Sequence, residues 1–140
     1  MKRIYKRYLA VVAGGNEITH TSEDALLHTL RIDCKKLRYL LEFFSTLFEH
    51  KKITPLIKQL KKLQDNLGRF QDLCVQQEEL QNFIAKISLK NPSNRRTIAA
   101  IGSLIGQLAQ EKHTVRAAFA EIFADFSSTK NKKLFQQLFK

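Results

Sequence analysis

Apolar side chains recur at alternating intervals of three and four along most of this chain, and no other feature restricts its fold as tightly. Leu27, Leu30, Cys34, Leu37, Leu41, Phe44 and Phe48 keep the rhythm, and Leu56, Leu60, Leu63, Leu67, Phe70 and Cys74 resume it. Ile98, Ile101, Ile105, Leu108, Val115, Phe119 and Ile122 make a third seam. Such spacing puts one apolar stripe on each α-helix, and the stripes must be buried against one another. Only two prolines and five glycines interrupt the 140 residues, which favours helix over sheet throughout. The expected fold class is all-α, an antiparallel helical bundle with three long helices and one or two short ones.

Local signals set the expected boundaries. Lys2 to Ala13 reads as a short helix with Ile4, Tyr8, Val11 and Val12 on one side, stopped by Gly14-Gly15. Thr21 with Asp24 resembles a capping box, starting a second helix that runs from about Glu23 to about Glu49. Thr54-Pro55 starts the third, with proline at its first position, and its rhythm persists to about Ile87. Gly68 inside this helix costs roughly 1 kcal/mol against alanine, which predicts close packing there. Lys90 to Asn94 is a turn, and a fourth helix runs from Arg95 to Phe126. Beside its seam lies a row of small residues, Ala99, Gly102, Gly106 and Ala109, which predicts the close approach of another helix. The expected division is residues 1–127 as the bundle and 128–140 as a short basic C-terminal helix or tail.

Twenty-four Lys and Arg stand against 13 Asp and Glu, a formal charge of +11. The excess is spread along the chain and is not confined to a tail. A folded domain this basic repels itself, and a bound polyanion relieves the repulsion. Nucleic acid, anionic lipid, polyphosphate and acidic protein all qualify on composition. No stretch approaches the ~20 apolar residues of a membrane span. The run from Leu9 to Ala13 is too short for a signal peptide, so the expected location is cytoplasmic. Cys34 and Cys74 fall on apolar stripes without metal-ligand spacing, and they read as buried thiols in preference to a disulfide.

One constellation carries chemistry. His28, Arg31, Lys35, Arg38 and Glu42 are spaced 3, 4, 3 and 4, which places them in one stripe about 80° wide. The stripe lies roughly 100° from the leucine seam on the same helix. On its far side stand Ile32, Tyr39 and Phe43. A polar stripe between apolar sectors fits a groove better than a free surface. Cations lining a groove are poorly solvated and mutually repulsive, so they favour an anion between them. The bland alternative is an ordinary solvated face on which Arg38 and Glu42 form an i,i+4 pair worth a few tenths of a kcal/mol. Spacing alone leaves both open.

The stretch from Leu27 to Phe44 resembles the signature of the CHAD family, the conserved histidine α-helical domains. That pattern is His, two residues, Arg, three residues, Lys or Arg, two residues, Arg-Tyr, then Glu and Phe. A second family block is matched by Leu60 to Leu73, with Gln71-Asp72 where the family usually has Asn-Asp. Ala100 to Gly106 resembles the small-residue block of a later helix in the family, and together the resemblance spans roughly residues 1–127. It implies two similar helical bundles around a basic central surface, binding of long-chain inorganic polyphosphate, and association with polyphosphate granules. Some members are fused to triphosphate-tunnel (CYTH) domains. This chain resembles one half of the usual domain, the C-terminal repeat. The two-lobed surface then requires a homodimer of C2 symmetry or a missing N-terminal half domain.

Carried over by position, the polyphosphate ligands of first rank are His28, Arg31, Lys35 and Arg38. Tyr39 is expected to pack and orient the stripe. Lys61 follows, on a flank of the third helix with Gln64. Lys112 falls in the apolar sector of the fourth helix, where an inward cation agrees with an internal anion path, and Arg116 lies nearby. Arg3 and Arg7 form a basic i,i+4 pair on the first helix. Glu42 and Asp72 read as partners of Arg and Lys. Arginine forks to two phosphate oxygens while lysine acts as a point charge, and a mixture suits a chain presenting the same oxyanions at every unit. There is no Gly-rich phosphate loop and no HxxxH or HExxH site. The reading is therefore a binding module without cofactor or metal, and not an enzyme. Three alternatives stay beside it: a nonspecific nucleic-acid binder, a regulatory or structural partner of a CYTH enzyme, and a metal-dependent polyphosphate or phosphate-ester hydrolase with His28 as acid or base.

Overall fold

The three seams become three helices, and two shorter helices close the chain at its ends. In a computed structural model, which describes residues 1–140, the order is α1 (Lys2–Asn16), α2 (Asp24–Phe43), α3 (His50–Lys86), α4 (Arg95–Phe126) and α5 (Thr129–Phe139), with no strand. Short connections turn each helix back on the one before. So α1 packs on α2, α2 on α3 and α3 on α4, while α5 returns to α1.

The stripes of α2 and α3 meet in one core, which the C-terminal part of the α4 seam joins at Phe119, while Ile98, Ile101 and Ile105, expected in the same seam, stay half-exposed outside it. Leu27, Leu30, Leu37 and Leu41 of α2 are buried against Ile53, Leu56, Leu60, Leu63 and Leu67 of α3. Ile4, Tyr8 and Val11 of α1 join them, with Phe119, Phe123 and Phe126 of α4 and Phe135 and Phe139 of α5. The Tyr8 and Phe135 rings stack with centroids 4.0 Å apart and planes 10° from parallel. The C-terminal segment is thus packed into the core that begins in α1, and each buried phenylalanine stabilises it by roughly 1.5–3 kcal/mol. Asn131 is the one buried polar side chain. Its Nδ2 donates to the carbonyls of Asp125 and Phe126 at 3.2 and 3.1 Å and to Gln59. These bonds satisfy the end of α4 and aim α5 back at the core.

Several boundaries differ from those expected, each for a packing or hydrogen-bonding reason. α1 does not stop at Gly14-Gly15 but runs through both to Asn16. Gly15 is there for close approach: a Cβ would stand 2.6 Å from Phe123 Cδ2 and nearer still to the ring edge. α2 ends at Phe43, six residues early. Ser45 Oγ donates to the Glu42 carbonyl at 2.8 Å, and the chain tightens into a 3-10 turn over Ser45–Leu47. α3 begins at His50, ahead of Pro55, with Ile53 N–H donating to the Glu49 carbonyl at 3.1 Å. That extra turn buries Ile53, while Pro55 forgoes one bond to a carbonyl in an exposed turn. The expected capping box is absent. The helix starts at Asp24 with Glu23 as N-cap, without a side-chain bond, so Thr21 lies outside it and pairs with Thr19, and the Asp24 carboxylate is free to pair with Lys112 and Arg116.

The small-residue row of α4 also departs from expectation, since nothing lies within 4 Å of a Cβ built on Gly102 or Gly106. No side chain between Val75 and Gln107 is buried. Beyond the N-terminus of α2, the far half of α3 and the near half of α4 cover each other on one side only, as a two-helix arm.

Gly15→Ala should lower stability in denaturant unfolding by about 1–3 kcal/mol, the usual cost of overpacking, despite alanine's better helix propensity. Gly14→Ala, whose Cβ meets Leu30 Cδ1 at 3.4 Å, should be neutral or mildly stabilising. Equal behaviour of the two variants would refute the close approach of Phe123.

Candidate functional site

The rotation of α2 in the core sets where its polar stripe points. Leu30 meets α1 at Gly14, and Arg31, about 100° round the helix, meets α3 at Gly68. Arg31 Nε lies 3.7 Å from where a Gly68 Cβ would stand. A Cβ at Gly68 would meet the guanidinium at ordinary contact distance and nothing else within 4 Å, so the tight helix contact expected there is absent. The stripe runs along the seam between α2 and α3, and the two helices form the walls of a groove.

Two hollows follow each other along it. The first, about 470 Å³, is lined by Asp24, His28, Gln71, Cys74, Gln77 and Lys112 among others. The second, about 310 Å³, is lined by Arg31, Gln64, Asp65, Gly68, Arg69 and Asp72. Arg38 continues the line. Its Nε donates to Glu42 Oε1 at 2.8 Å and its NH1 to Gln64 Oε1 at 3.3 Å. The pair is partly exposed, so it stabilises by less than about 1 kcal/mol and chiefly orients the guanidinium.

The cations differ in what already holds them. Arg69 is bonded through Nε to Glu111 on α4 at 2.9 Å. Arg31, Lys35 and Lys61 take part in none of the chain's ion pairs. Lys35 Nζ sits 5.8 Å over the Tyr39 ring, and Lys61 is exposed one turn before Gln64 on α3. Asp65 and Asp72 share the second hollow with Arg31 and Arg69, so its lining is close to neutral; the two acids and Arg69 are exposed, and Arg31 is half-buried. The uncompensated charge lies on the rim.

At the head of the groove the stripe meets α4. Asp24 Oδ2 accepts from Lys112 Nζ at 2.8 Å and Oδ1 from Arg116 NH1 at 3.0 Å. Arg116 NH2 also donates to the carbonyls of Thr19, at 3.2 Å, and Ser22. Both cations stand over the Phe70 ring, at 5.5 and 5.8 Å. Burial alone would lower the Lys112 pKa, but its hydrogen bond to Asp24 and the neighbouring charges outweigh burial and raise it. The thiols move the same way for another reason. Burial pushes Cys34 up to about 12, and it also raises Cys74, whose Sγ lies 3.8 Å from Asp24 Oδ2. Neither thiol is in a disulfide, and neither is activated as a nucleophile.

The structure thus brings His28, Arg31, Arg38, Gln64, Asp72 and Lys112 to one groove, with Lys35, Tyr39 and Lys61 on its rim. Tyr39 packs under Lys35 and is itself 56 % exposed. Arg116 stands behind Lys112 on the same carboxylate. Arg3 and Arg7 are not brought in, because α1 flanks α2 on the side of Leu30, away from α3. Asp24 is the residue that sequence reasoning missed as part of this site. A signal was present, since one more step of four back from His28 along the stripe reaches it. No three His, Cys, Asp or Glu side chains converge as a metal site, and no helix is long and apolar enough to cross a membrane.

A family model described as CHAD domain matches residues 1–81 of the chain. The matched span takes in α1, α2 and the part of α3 that builds the groove. A comparison with curated proteins finds no match.

The raised Lys112 pKa has a pH consequence. The stability contributed by its ion pair is fully present below the ordinary lysine pKa and is lost as pH rises through the higher folded value. Thermal unfolding followed upward from pH 9 should therefore show a steeper loss of stability in the wild type than in Lys112→Met. Parallel curves would mean that the ion pair carries no stability.

Proposed function

The chain belongs to the CHAD domain family, and from that premise we propose that it binds inorganic polyphosphate in the groove between α2 and α3. The observation that carries this reading is the set of cations outside the chain's ion pairs, Arg31 in the groove and Lys35 and Lys61 on its rim, in line with His28 and the pre-oriented Arg38. A flexible string of phosphates presents the same oxyanions every few ångströms. It can follow roughly 15 Å of α2 from His28 to Arg38 at 1.5 Å per residue. Arg31 and Arg38 take oxygens in pairs, and the lysines supply field without demanding a register. Binding relieves the self-repulsion of a chain with formal charge +11.

One wall of this site is open. Beside the groove, on the outer face of α2, run Ile32, Tyr39 and Phe43, with Leu47 beyond them, and Phe43 is 78 % exposed. An apolar ridge next to bare cations fits a surface meant to be covered. The cover we propose is a second copy of the chain, related by a two-fold axis, or else an N-terminal half domain of the same family. Either encloses the polyanion on both sides and supports a place at polyphosphate granules. Nucleic acid competes for the same cations, but of the two exposed rings beside the groove Tyr39 is already under Lys35 and Phe43 stands beyond Arg38, so no row of rings is offered for base stacking.

Arg31→Ala combined with Arg38→Ala should weaken long-chain polyphosphate binding at least about tenfold, by loss of charge-assisted bonds, with helicity by circular dichroism unchanged. Unaltered affinity would take the groove out of the account. With about six phosphate contacts, the log–log slope of affinity against salt should be near roughly −4, by analogy with single-stranded nucleic acid. A flat salt response contradicts a polyanion. Light scattering should show two chains per complex when polyphosphate is added.

A further inference from the structure

Asp24, His28, Arg31, Lys35 and Arg38 step along one face of α2 at intervals of 4, 3, 4 and 3, so an acid heads a line of cations. Its carboxylate turns to α4 and holds two cations, Lys112 at 2.8 Å and Arg116 at 3.0 Å. One carboxylate between two cations leaves the cluster with a positive charge to spare. The two cations depend on it unequally. Arg116 is also held by the carbonyls of Thr19 and Ser22, whereas Asp24 is the only oxygen that the Lys112 ammonium bonds, with the Cys74 thiol as its other, weaker partner. Lys112 also lines the hollow that His28 lines, beside Gln71, Gln77 and a second carboxylate, Glu78, which faces any anion entering there. Its side chain is mostly covered and lies over an aromatic ring, so water solvates it poorly. Asp24 is more exposed than either cation it holds, so water can solvate its Oδ2 once Lys112 passes to another anion.

A carboxylate with one oxygen on each of two cations occupies the place of two oxygens of a phosphate. We propose that Asp24 is a built-in competitor for this head of the groove: its carboxylate holds Lys112 when the groove is empty, and a phosphate of the bound chain displaces it there, while Arg116 stays with Asp24 and the loop carbonyls. The proposal rests on the polyphosphate reading above. The exchange replaces one ion pair with another, so its cost is small. A phosphate already tethered at Arg31 arrives at a high effective concentration. Occupancy of the rim and release of Lys112 are thereby coupled. Asp24 sets how tightly the head of the groove grips, and Lys112 becomes a ligand only with polyanion present.

The test is calorimetric titration of the full chain with long-chain polyphosphate at fixed salt. Asp24→Asn should bind at least about fivefold tighter than Glu121→Gln, the low end of typical coupling between sites. Glu121→Gln makes the same charge change on the far flank of α4, beside Lys62. Lys112→Met should bind more weakly than wild type, and adding it to Asp24→Asn should abolish the gain. The competitor is overturned if Asp24→Asn binds no tighter than Glu121→Gln, or if the gain survives the loss of Lys112. Should Asp24→Asn fail to fold, Lys112→Met decides alone, since it keeps the Asp24–Arg116 pair: undiminished affinity overturns the proposal and weakened binding supports it. Absence of binding by the wild type overturns the polyphosphate reading and the competitor with it.

Discussion

The burial of the α2 leucine seam against α3 governs everything else in this molecule. Leu27, Leu30, Leu37 and Leu41 are fully covered, so α2 cannot rotate about its axis without exposing them. With the rotation set, residues about 100° away must lie along the edge of the α2–α3 interface. His28, Arg31 and Arg38 are those residues. The stripe becomes a groove wall because α3 stands beside it, with Gly68 facing Arg31. A stability constraint of a few apolar side chains thus positions the charged ones, with no separate device needed to aim them.

Charge on this chain is divided between structure and surface. Arg69, Lys112 and Arg116 link helices by pairing with Glu111 and Asp24. Arg38 is steered by Glu42 and Gln64. With 13 acids for 24 basic side chains, at least eleven cations have no carboxylate of their own, and Arg31 in the groove and Lys35 and Lys61 on its rim are in no ion pair. The lining of the hollow at Arg31 is nearly neutral because Asp65 and Asp72 are part of it. A bound polyanion therefore lies along the groove toward Lys35 and Lys61, next to the bare ridge of Ile32, Tyr39 and Phe43. Both features lie on the side of α2 that no helix of this chain covers.

Helix identity and the core were legible in sequence because spacing of three and four reports one face directly. The stripe was legible for the same reason, since His28 to Glu42 lie on a single helix. What escaped were contacts that cross long stretches of chain. Nothing local shows that Asp24 meets Lys112, so its acid at a helix start reads as a cap. Gly14-Gly15 reads as a stop for the same reason, because Phe123, the ring that Gly15 admits, lies more than a hundred residues on. The small residues of α4 mark a face suited to close approach, but spacing cannot say whether anything approaches, and in this chain Gly102 and Gly106 stay open. The extra turn before Pro55 was hidden because a proline signal is stronger than the pull of one isoleucine, Ile53, toward the core.

The central claim is that a phosphate chain lies along the groove between α2 and α3. Amide chemical-shift mapping by NMR during a titration with long-chain polyphosphate tests it most directly. The account predicts the largest shifts at His28, Arg31, Lys35 and Arg38, with Gly68 facing them, and small ones at Arg3, Arg7 and along the arm from Val75 to Gln107. Shifts concentrated on the arm or on α1, or spread evenly over every basic residue, would contradict it.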